Sequence, residues 1–499
     1  MTMAIPNYPS HAAQHPSVLA EKLKTKLRNS RFFTISLLLH MVLITTLGSM
    51  VLFRAVAPPD DFIGSGDGGG GLVAGDTAAA PPPPPVALPP TTVSPPTPVI
   101  NTPSTQLDVI TTLSAAPSNF AVAVAPVAPP TMSTQTSSAL PTRATGGPGS
   151  AAGLPSIMQG RAGPRRAQRA KETGQKKTSE EAVMNGLRWL KTKQNPDGTW
   201  GQKYKGAMTG LALLCFLGHG ENYYSVEFGE TVRKGVNALV TEGEKQGGRL
   251  AFSKTLATQT GPYEHGIATY ALAEAFAITR EERIPPVLTN AVKHITQGQG
   301  PDGGWMYRYD RSVPSDTSVS GWQFQALKAV HLTQLNIPGV EQALDKAVGN
   351  LERVFDPKTG HFGYRNKGDR KGSLTGVGAL NMLMWKQGKG SMVRDAIKAI
   401  VDGPTVNYHE GEQDLYAWYY HTQACLLYGG ASWDKWNRMF QDQIALSQNP
   451  DGSWPPSRSK EAAKHGPIQD LSLDGAIYRT ALCVLMLEVY YRYLPSTQG

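Results

Sequence analysis

QNPDGTW at Gln194–Trp200, QGPDGGW at Gln299–Trp305 and QNPDGSW at Gln448–Trp454 are three copies of one motif, Gln-x-Pro-Asp-Gly-x-Trp. The first two begin 105 residues apart and the last two 149, both near multiples of about 50, the spacing of a repeat architecture. Weaker versions occupy the missing positions: KQGGRLAF from Lys245, FDPKTGHFGY from Phe355 and VDGPTVNY from Val401. Six units over the 254 residues from Gln194 to Gln448 give a period of about 51 residues.

Each unit reads alike. A helix of period 3.6 runs into the turn, as in SEEAVMNGLRWLKTKQ, PPVLTNAVKHITQGQ and ASWDKWNRMFQDQIALSQ. Pro-Asp-Gly makes the turn, with glycine free to adopt positive φ. A second helix follows that is apolar or small on nearly every side, as in GAMTGLALLCFLGHG, EHGIATYALAEAFAI, TSVSGWQFQALKAVHL and LYAWYYHTQACLLYGG. Amphipathic helices alternating with all-round apolar ones make an outer and an inner ring. The expected fold is all-α: an α/α toroid of about six helix pairs, twelve helices. An open solenoid is the alternative, but its ends would need polar caps, and the last helix, GAIYRTALCVLMLEVYYRYL, is strongly apolar.

Working outward from the repeats, the composition changes abruptly. Of 38 prolines, 20 fall between Pro58 and Pro155, where the only aromatics are Phe62 and Phe120. Such a segment cannot bury enough apolar surface to offset its ordering entropy. Residues 54–177 therefore read as a Pro/Gly/Ala-rich disordered linker ending in the basic run RAGPRRAQRAKETGQKK, and residues 178–499 as the toroid domain. As a coil the Pro/Gly-rich part would span roughly 55–60 Å. The net charge of +9 resides mainly in the N-terminal tail and in that basic run, so the folded domain carries no nucleic-acid-binding signature.

Residues 32–53, FFTISLLLHMVLITTLGSMVLF, contain no charged side chain. At 1.5 Å per residue they reach roughly 33 Å, enough to cross a bilayer core. Lys22, Lys24, Lys26, Arg28 and Arg31 precede the segment, and Arg54, Asp60 and Asp61 follow it. The positive-inside rule then leaves residues 1–31 as a cytoplasmic tail and the toroid outside the cytoplasmic (inner) membrane, in the periplasm. A cleaved signal peptide is the competing reading, but its apolar region would be too long. Ser36 and His40 stand four apart on one face of the span, and an intramembrane histidine is a functional candidate. Ser-x-x-x-His in one N-terminal span before a proline-rich stretch resembles the TonB-type energy transducers. That resemblance implies ion-motor proteins as partners.

The Gln…Asp-Gly-x-Trp turns resemble the repeats of the squalene/hopene cyclase and protein prenyltransferase β-subunit superfamily (prenyltransferase/squalene-oxidase repeats) over roughly residues 179–495. The ending, YAWYYHTQAC…WDKWNRMF…QNPDGSW…YRTALCVLMLEVYYRYLP, is similar to membrane-anchored bacterial cyclase-like proteins that carry these repeats. The resemblance implies that the turn Trp and Gln residues join neighbouring helix pairs.

In such a ring the inner-helix N-termini gather at one mouth of the lumen, where helix dipoles favour anions. The side chains there are Thr209; Tyr263, Glu264 and His265; Asp316, Thr317 and Trp322; Thr375; Asp414, Tyr416, Trp418 and His421; and Asp474, Tyr478 and Arg479. Asp316, Glu264 and His265 are the candidate acid/base groups. Trp322, Asp414, Tyr416, Trp418, His421, Asp474, Tyr478 and Arg479 are candidate ligand-binding residues. A lone carboxylate at such a position is often a helix cap.

The resemblance implies two chemistries. Cyclases protonate an isoprenoid with the middle acid of Asp-x-Asp-Asp-Thr-Ala, and here the matching stretch is Val313-Pro314-Ser315-Asp316-Thr317-Ser318, with Ser315 at the donor position. A hydroxyl cannot protonate an alkene. Prenyltransferases hold zinc with Asp-x-Cys plus a histidine, and this chain has no Asp-x-Cys. His421 and Cys425 share a helix face, but two ligands do not make a zinc site. No metal and no cofactor are expected. Cys215, Cys425 and Cys483 lie in apolar runs and read as buried free thiols. The leading expectation is a membrane-anchored toroid that binds an isoprenoid, lipid-like or other large ligand without cyclase activity. The alternatives are an enzyme acting on an isoprenoid or a glycan, and a motor-coupled envelope protein.

Overall fold

The computed structural model describes residues 156–161, 163–253, 255–369, 372–385, 388, 390–410, 414–458 and 469–492. The expected membrane span at 32–53, Ser36 and His40 lie outside these residues. Among the described residues, no helix is long and apolar enough to cross a membrane.

Fourteen α-helices account for nearly all regular structure among the described residues. After a first short helix, α1 (Gly163–Glu172), six helices form an outer layer: α2 (Lys177–Thr192), α4 (Gly229–Lys245), α6 (Ile284–Gly298), α8 (Val340–Val354), α10 (Ser391–Val401) and α12 (Gly430–Ala445). Six alternate with them as an inner layer: α3 (Lys205–His219), α5 (Gly261–Thr279), α7 (Thr317–Leu332), α9 (Thr375–Met384), α11 (Leu415–Tyr428) and α13 (Leu473–Leu487). A final turn, α14 (Val489–Arg492), follows. Each inner helix packs on the next, and α13 returns to pack against α3 and α2. The ring therefore closes, and the open-solenoid alternative is excluded.

Burial follows the expected division. In α3 every residue from Gly206 to His219 is buried, and in α5 every residue from Gly261 to Ala277. By contrast α8 buries one stripe, Val340, Ala343, Leu344, Ala347, Val348, Leu351 and Val354, together with Asn350. A helix apolar all round survives only with neighbours on every side, and the double ring supplies them.

The repeat turns join adjacent units. Gln194 Nε2 donates to Gly198 O at 3.0 Å within its own turn and to Thr231 O of α4 at 3.0 Å. Gln299 does the same to Gly303 O and to Ala343 O of α8, at 2.7 and 2.8 Å. Trp200, Trp305 and Trp454 each donate their indole N–H to a carbonyl ten residues earlier, Leu190, Ile295 and Ile444, at 2.7–2.8 Å. Gly198 sits at φ 84°, and a Cβ there would fall 2.4 Å from Lys234 O, so the close approach of the next outer helix requires glycine. The weaker unit at Phe355 replaces the turn with a small hairpin, β1 (Phe355–Asp356) paired antiparallel with β2 (His361–Phe362).

One feature lies upstream of the expected domain start. Residues 156–175, read from composition as linker, are packed against the ring: Met158 and Arg161 are buried. α1 follows, and Thr173 Oγ1 donates to Tyr490 O at 3.3 Å. Cys215, Cys425 and Cys483 are buried free thiols.

Candidate functional site

The inner-helix N-termini meet at one end of the ring, as hydrogen bonds between them show. Glu264, in the first turn of α5, accepts from Gly206 N–H at the start of α3 at 3.1 Å. Asp474, in the first turn of α13, accepts from the N–H groups of Gln202, Lys203 and Tyr204 at 2.6, 2.9 and 3.1 Å, just before α3. Tyr263 Oη lies 2.8 Å from Ser318 Oγ of α7, and Tyr416 Oη of α11 donates to Ser318 O at 3.0 Å.

The carboxylates in this crown serve helix ends. Asp316 is the N-cap of α7, with Oδ1 accepting from Ser318 N–H at 2.7 Å and Val319 N–H at 3.2 Å. Its Oδ2 is buried with no hydrogen-bond partner among the described residues. Asp414 caps α11 by accepting from Ala417 N–H at 2.9 Å. Unsatisfied N–H groups in the first turn make carboxylates favourable at these four positions. Glu264 differs in its proton affinity. It is 4% exposed, and burial holds its pKa up at about 7 against the partial relief of the Gly206 and Thr260 hydrogen bonds.

His265 faces the other way. Its Nδ1 accepts from Leu250 N–H at 3.1 Å and its Nε2–H donates to Ala291 O of α6 at 3.0 Å. Burial drives its pKa down to about 3, so the ring is neutral and both nitrogens are engaged by backbone. The adjacent Glu264 and His265 are thus not brought together as a couple. His421 packs edge-on to Trp436 with centroids 5.4 Å apart, and burial also lowers its pKa to about 3. Arg479 Nε donates to Trp454 O at 3.2 Å, and its guanidinium also reaches Asp470 O, tying the third repeat turn to the loop before α13. Thr209 accepts from Trp200 N–H at 2.9 Å, and Thr317 donates to Gly363 O at 2.8 Å. Both point toward turns.

Below the crown the interior of the inner ring is packed with aromatic side chains. Trp322 of α7 stacks on Tyr419 of α11 with centroids 5.6 Å apart and planes 18° from parallel. These helices are separated in the ring by α9, so the stack lies inside the inner ring. Tyr420 packs edge-on to Trp322 and against Tyr416 at 4.9 Å. Trp418 and Tyr478 are also buried, and Tyr478 senses the charge of Asp414, which together with burial raises its phenol well above the ordinary range. Polar groups are interleaved. Gln325 Nε2 donates to Tyr420 Oη at 2.8 Å, while Gln325 Oε1, Gln423 Oε1 and Trp322 Nε1 are buried without partners among the described residues.

The opposite end carries a group that motif reading missed. Arg161, Glu274, Glu488 and Arg492 are all buried there. The available signal was two charges in apolar helices, Glu274 in YALAEAFAI and Glu488 in LMLEVYYRYL, since buried charges persist only with partners.

Ser315, where cyclases carry the proton donor, is turned to the repeat motif. Its N–H donates to Asp302 Oδ2 at 2.9 Å and its hydroxyl to Asp302 Oδ1 at 2.5 Å. Arg353 pairs with the same carboxylate at 3.1 Å. Among the described residues no three His, Cys, Asp or Glu side chains come together as a metal site. Two hollows formed by described residues lie on the outer side. One, of about 270 Å³, is at the Gln299–Gly303 turn, and one, of about 440 Å³, is along α2 at Glu180–Arg188.

No protein-family model matches the chain, and no curated protein matches its sequence. Solved structures match at low similarity. An inactive variant of the GH76A alpha-1,6-mannanase of Salegentibacter sp. HEL1_6 aligns at 12% identity and TM-score 0.47, covering 63% of this chain and 99% of the other. A type II terpene cyclase from Scytonema aligns at 14% and 0.43, covering 63% and 97%. A possible member of the GH105 family from Salmonella enterica aligns at 14% and 0.45, covering 63% and 93%. At these values the matches carry nothing about reaction or ligand, and the toroid stands on its own helix contacts.

Proposed function

We propose that this chain is an envelope-anchored binding module whose lumen takes a large, partly apolar ligand such as an isoprenoid lipid, without cyclase-type proton donation. The observation that carries the reading is the Trp322–Tyr419–Tyr420 cluster inside the inner ring, beside Trp322 Nε1 and Gln325 Oε1, which are buried and have no hydrogen-bond partner among the described residues. Aromatic faces with a few hydrogen-bonding groups suit an amphiphile. The loss of cyclase chemistry rests on Ser315, which is a hydroxyl and is bonded to Asp302. In this reading residues 32–53 anchor the protein in the inner membrane, and the linker holds the toroid in the periplasm, within reach of lipid.

The test is native mass spectrometry of the full-length protein taken from its own host's envelope. A co-purifying lipid or isoprenoid, reduced in Trp322→Phe, is the expected result. Phenylalanine keeps a smaller aromatic face and removes the N–H. An empty lumen in the folded wild-type protein sinks the reading.

A second reading, an enzyme acting on an isoprenoid or glycan, is favoured by Glu264. A buried carboxyl with a pKa of about 7 can give or take a proton near neutrality. Asp316, whose Oδ2 is unpartnered among the described residues, would be the second carboxylate. Turnover that disappears in Glu264→Gln while ligand occupancy persists would select this reading over simple binding.

A further inference from the structure

Residues 156–175 run across the C-terminal ends of the inner helices. Arg161 Nη1 and Nη2 donate to the two oxygens of Glu274, on α5, at 2.9 and 3.3 Å. Arg161 Nε donates to Arg492 O at 2.9 Å, and Nη1 also to Leu217 O near the end of α3 at 3.2 Å. Arg166 Nη1 donates to His219 O, the last residue of α3, at 2.6 Å. Further along, Gln175 Nε2 donates to Leu487 O, the last residue of α13, at 3.1 Å. Trp433 and Gln441 of α12 donate to Thr173 O and Gly174 O at 3.0 and 3.1 Å.

This segment is fastened by the buried Met158 at its start and by polar contacts along its length. α1 is ten residues long and buries none of them, and a helix so short and without an apolar face has little stability of its own. Arg161 is the buried charge of the segment, its side chain enclosed with that of Glu274. Gly220, at φ 95°, allows the approach, since a Cβ there would lie 2.5 Å from Arg161 O. In sequence, Arg161 is the first charged side chain after the proline-rich stretch. A load on the preceding chain therefore reaches the buried Met158 and then Arg161 before the rest of the domain.

We propose that residues 156–175 form a releasable strap over the C-terminal end of the lumen, with Arg161 as its latch. Tension on the preceding chain draws Arg161 away from Glu274 and uncovers this end, where the buried Glu488 lies next to Gly218 and Arg492. The device controls access to the lumen and does not depend on which ligand the lumen holds.

The protein carries its own reporter. Cys215 Sγ is buried between Leu211 O and Ala481 O, at 3.2 and 3.4 Å, and feels the charges of Glu488 and Arg492. Cys425, on α11, is buried apart from that charged group. Full-length wild type, Arg161→Ala and Gly220→Ala are treated with a maleimide under native conditions, and each cysteine is read by peptide mass spectrometry. Gly220→Ala dislodges the latch without removing its charge. Both variants are expected to raise the Cys215 rate about tenfold or more with Cys425 still protected, the pattern of a local opening. Equal acceleration of both thiols means global unfolding and overturns the proposal, as does an unchanged Cys215 rate. Should neither variant fold, the wild-type protein decides alone: equal protection of the two thiols overturns the strap, and faster labelling of Cys215 supports it.

Discussion

Gln448 Nε2 donates to Ala182 O at 2.8 Å, joining residues 266 apart in sequence. Its second hydrogen bond, to Gly452 O at 3.0 Å, stays within its own turn. Gln194 and Gln299 make the same pair of bonds to the next unit, so the last repeat uses the common device to reach the first. Gly452, at φ 92°, lies against Asn185 O, where a Cβ would approach to 2.3 Å. Ring closure is thus one more repeat junction.

Gln448→Ala removes both hydrogen bonds, a loss of about 1–3 kcal/mol at about 0.5–1.5 kcal/mol each. Urea unfolding of the purified protein should show that loss, with hydrogen exchange rising first in α2 and α13. Exchange rising uniformly would mean that the junction is not where the ring opens.

Ser315→Asp, which rebuilds the acid pattern of a cyclase, is expected to destabilise the protein and not to create cyclase activity. Asp302 already accepts from Ser315 and pairs with Arg353, and those contacts hold its pKa below the ordinary carboxylate range. A second carboxylate would replace a donor with a like charge, costing about 1–2 kcal/mol at neutral pH. The melting temperature should recover as the pH falls toward 4, and a variant as stable as wild type at pH 7 would contradict the geometry.

Glu264 makes stability depend on pH with a defined sign. Its folded pKa of about 7 exceeds the ordinary 4.5, so the folded state holds a proton that the unfolded state releases. Its contribution is complete below about pH 4.5 and is lost as the pH rises through about 7, on the order of 3 kcal/mol in all. His265 acts oppositely. With a folded pKa near 3 against an ordinary 6.5, its contribution is present above pH 6.5 and lost as the pH falls. Comparing wild type with Glu264→Gln between pH 5 and 8 isolates the first effect, and parallel profiles would refute it.

Arg161→Ala removes the bidentate partner of the buried Glu274, with Arg492 3.8 Å away. Breaking one side of a buried pair costs about 3–5 kcal/mol, whereas replacing both sides with apolar groups of similar volume is often close to neutral. Arg161→Met combined with Glu274→Leu should therefore be more stable than Arg161→Ala alone, as denaturant midpoints would show.

Ser36→Ala and His40→Ala, with membrane insertion intact, are expected to leave ligand occupancy of the toroid unchanged. Loss of the cellular phenotype in either variant, with occupancy preserved, would favour ion-motor coupling through the span.

The crown acids were visible in the sequence as acids at inner-helix starts, because a helix N-terminus is announced by the turn before it. Their tasks were not visible. Asp316 and Asp414 cap their own helices, whereas Glu264 and Asp474 serve the start of α3, and only the ring makes those starts neighbours. His265 was read with Glu264 because the two are adjacent in sequence. Successive positions on a helix point about 100° apart, and that turn carries His265 to α6 and the Leu250 loop.

The sequence by itself determined the six-pair architecture. A 51-residue period, turns built on Pro-Asp-Gly, and helices alternately half apolar and wholly apolar permit few other packings, since each follows from local backbone preference and burial. It also placed a hydroxyl, Ser315, where the cyclase resemblance implies a proton-donating acid. Tertiary structure alone decided that α13 meets α2 and α3, that Trp322 and Tyr419 stack inside the inner ring, and that Arg161 belongs to the domain. These are contacts between residues roughly 100 to 300 positions apart. Their energy comes from removing side chains from water against partners that periodicity cannot identify. Arg161 shows the difference most plainly: its composition is that of a solvated basic tail, and its position is the buried partner of Glu274.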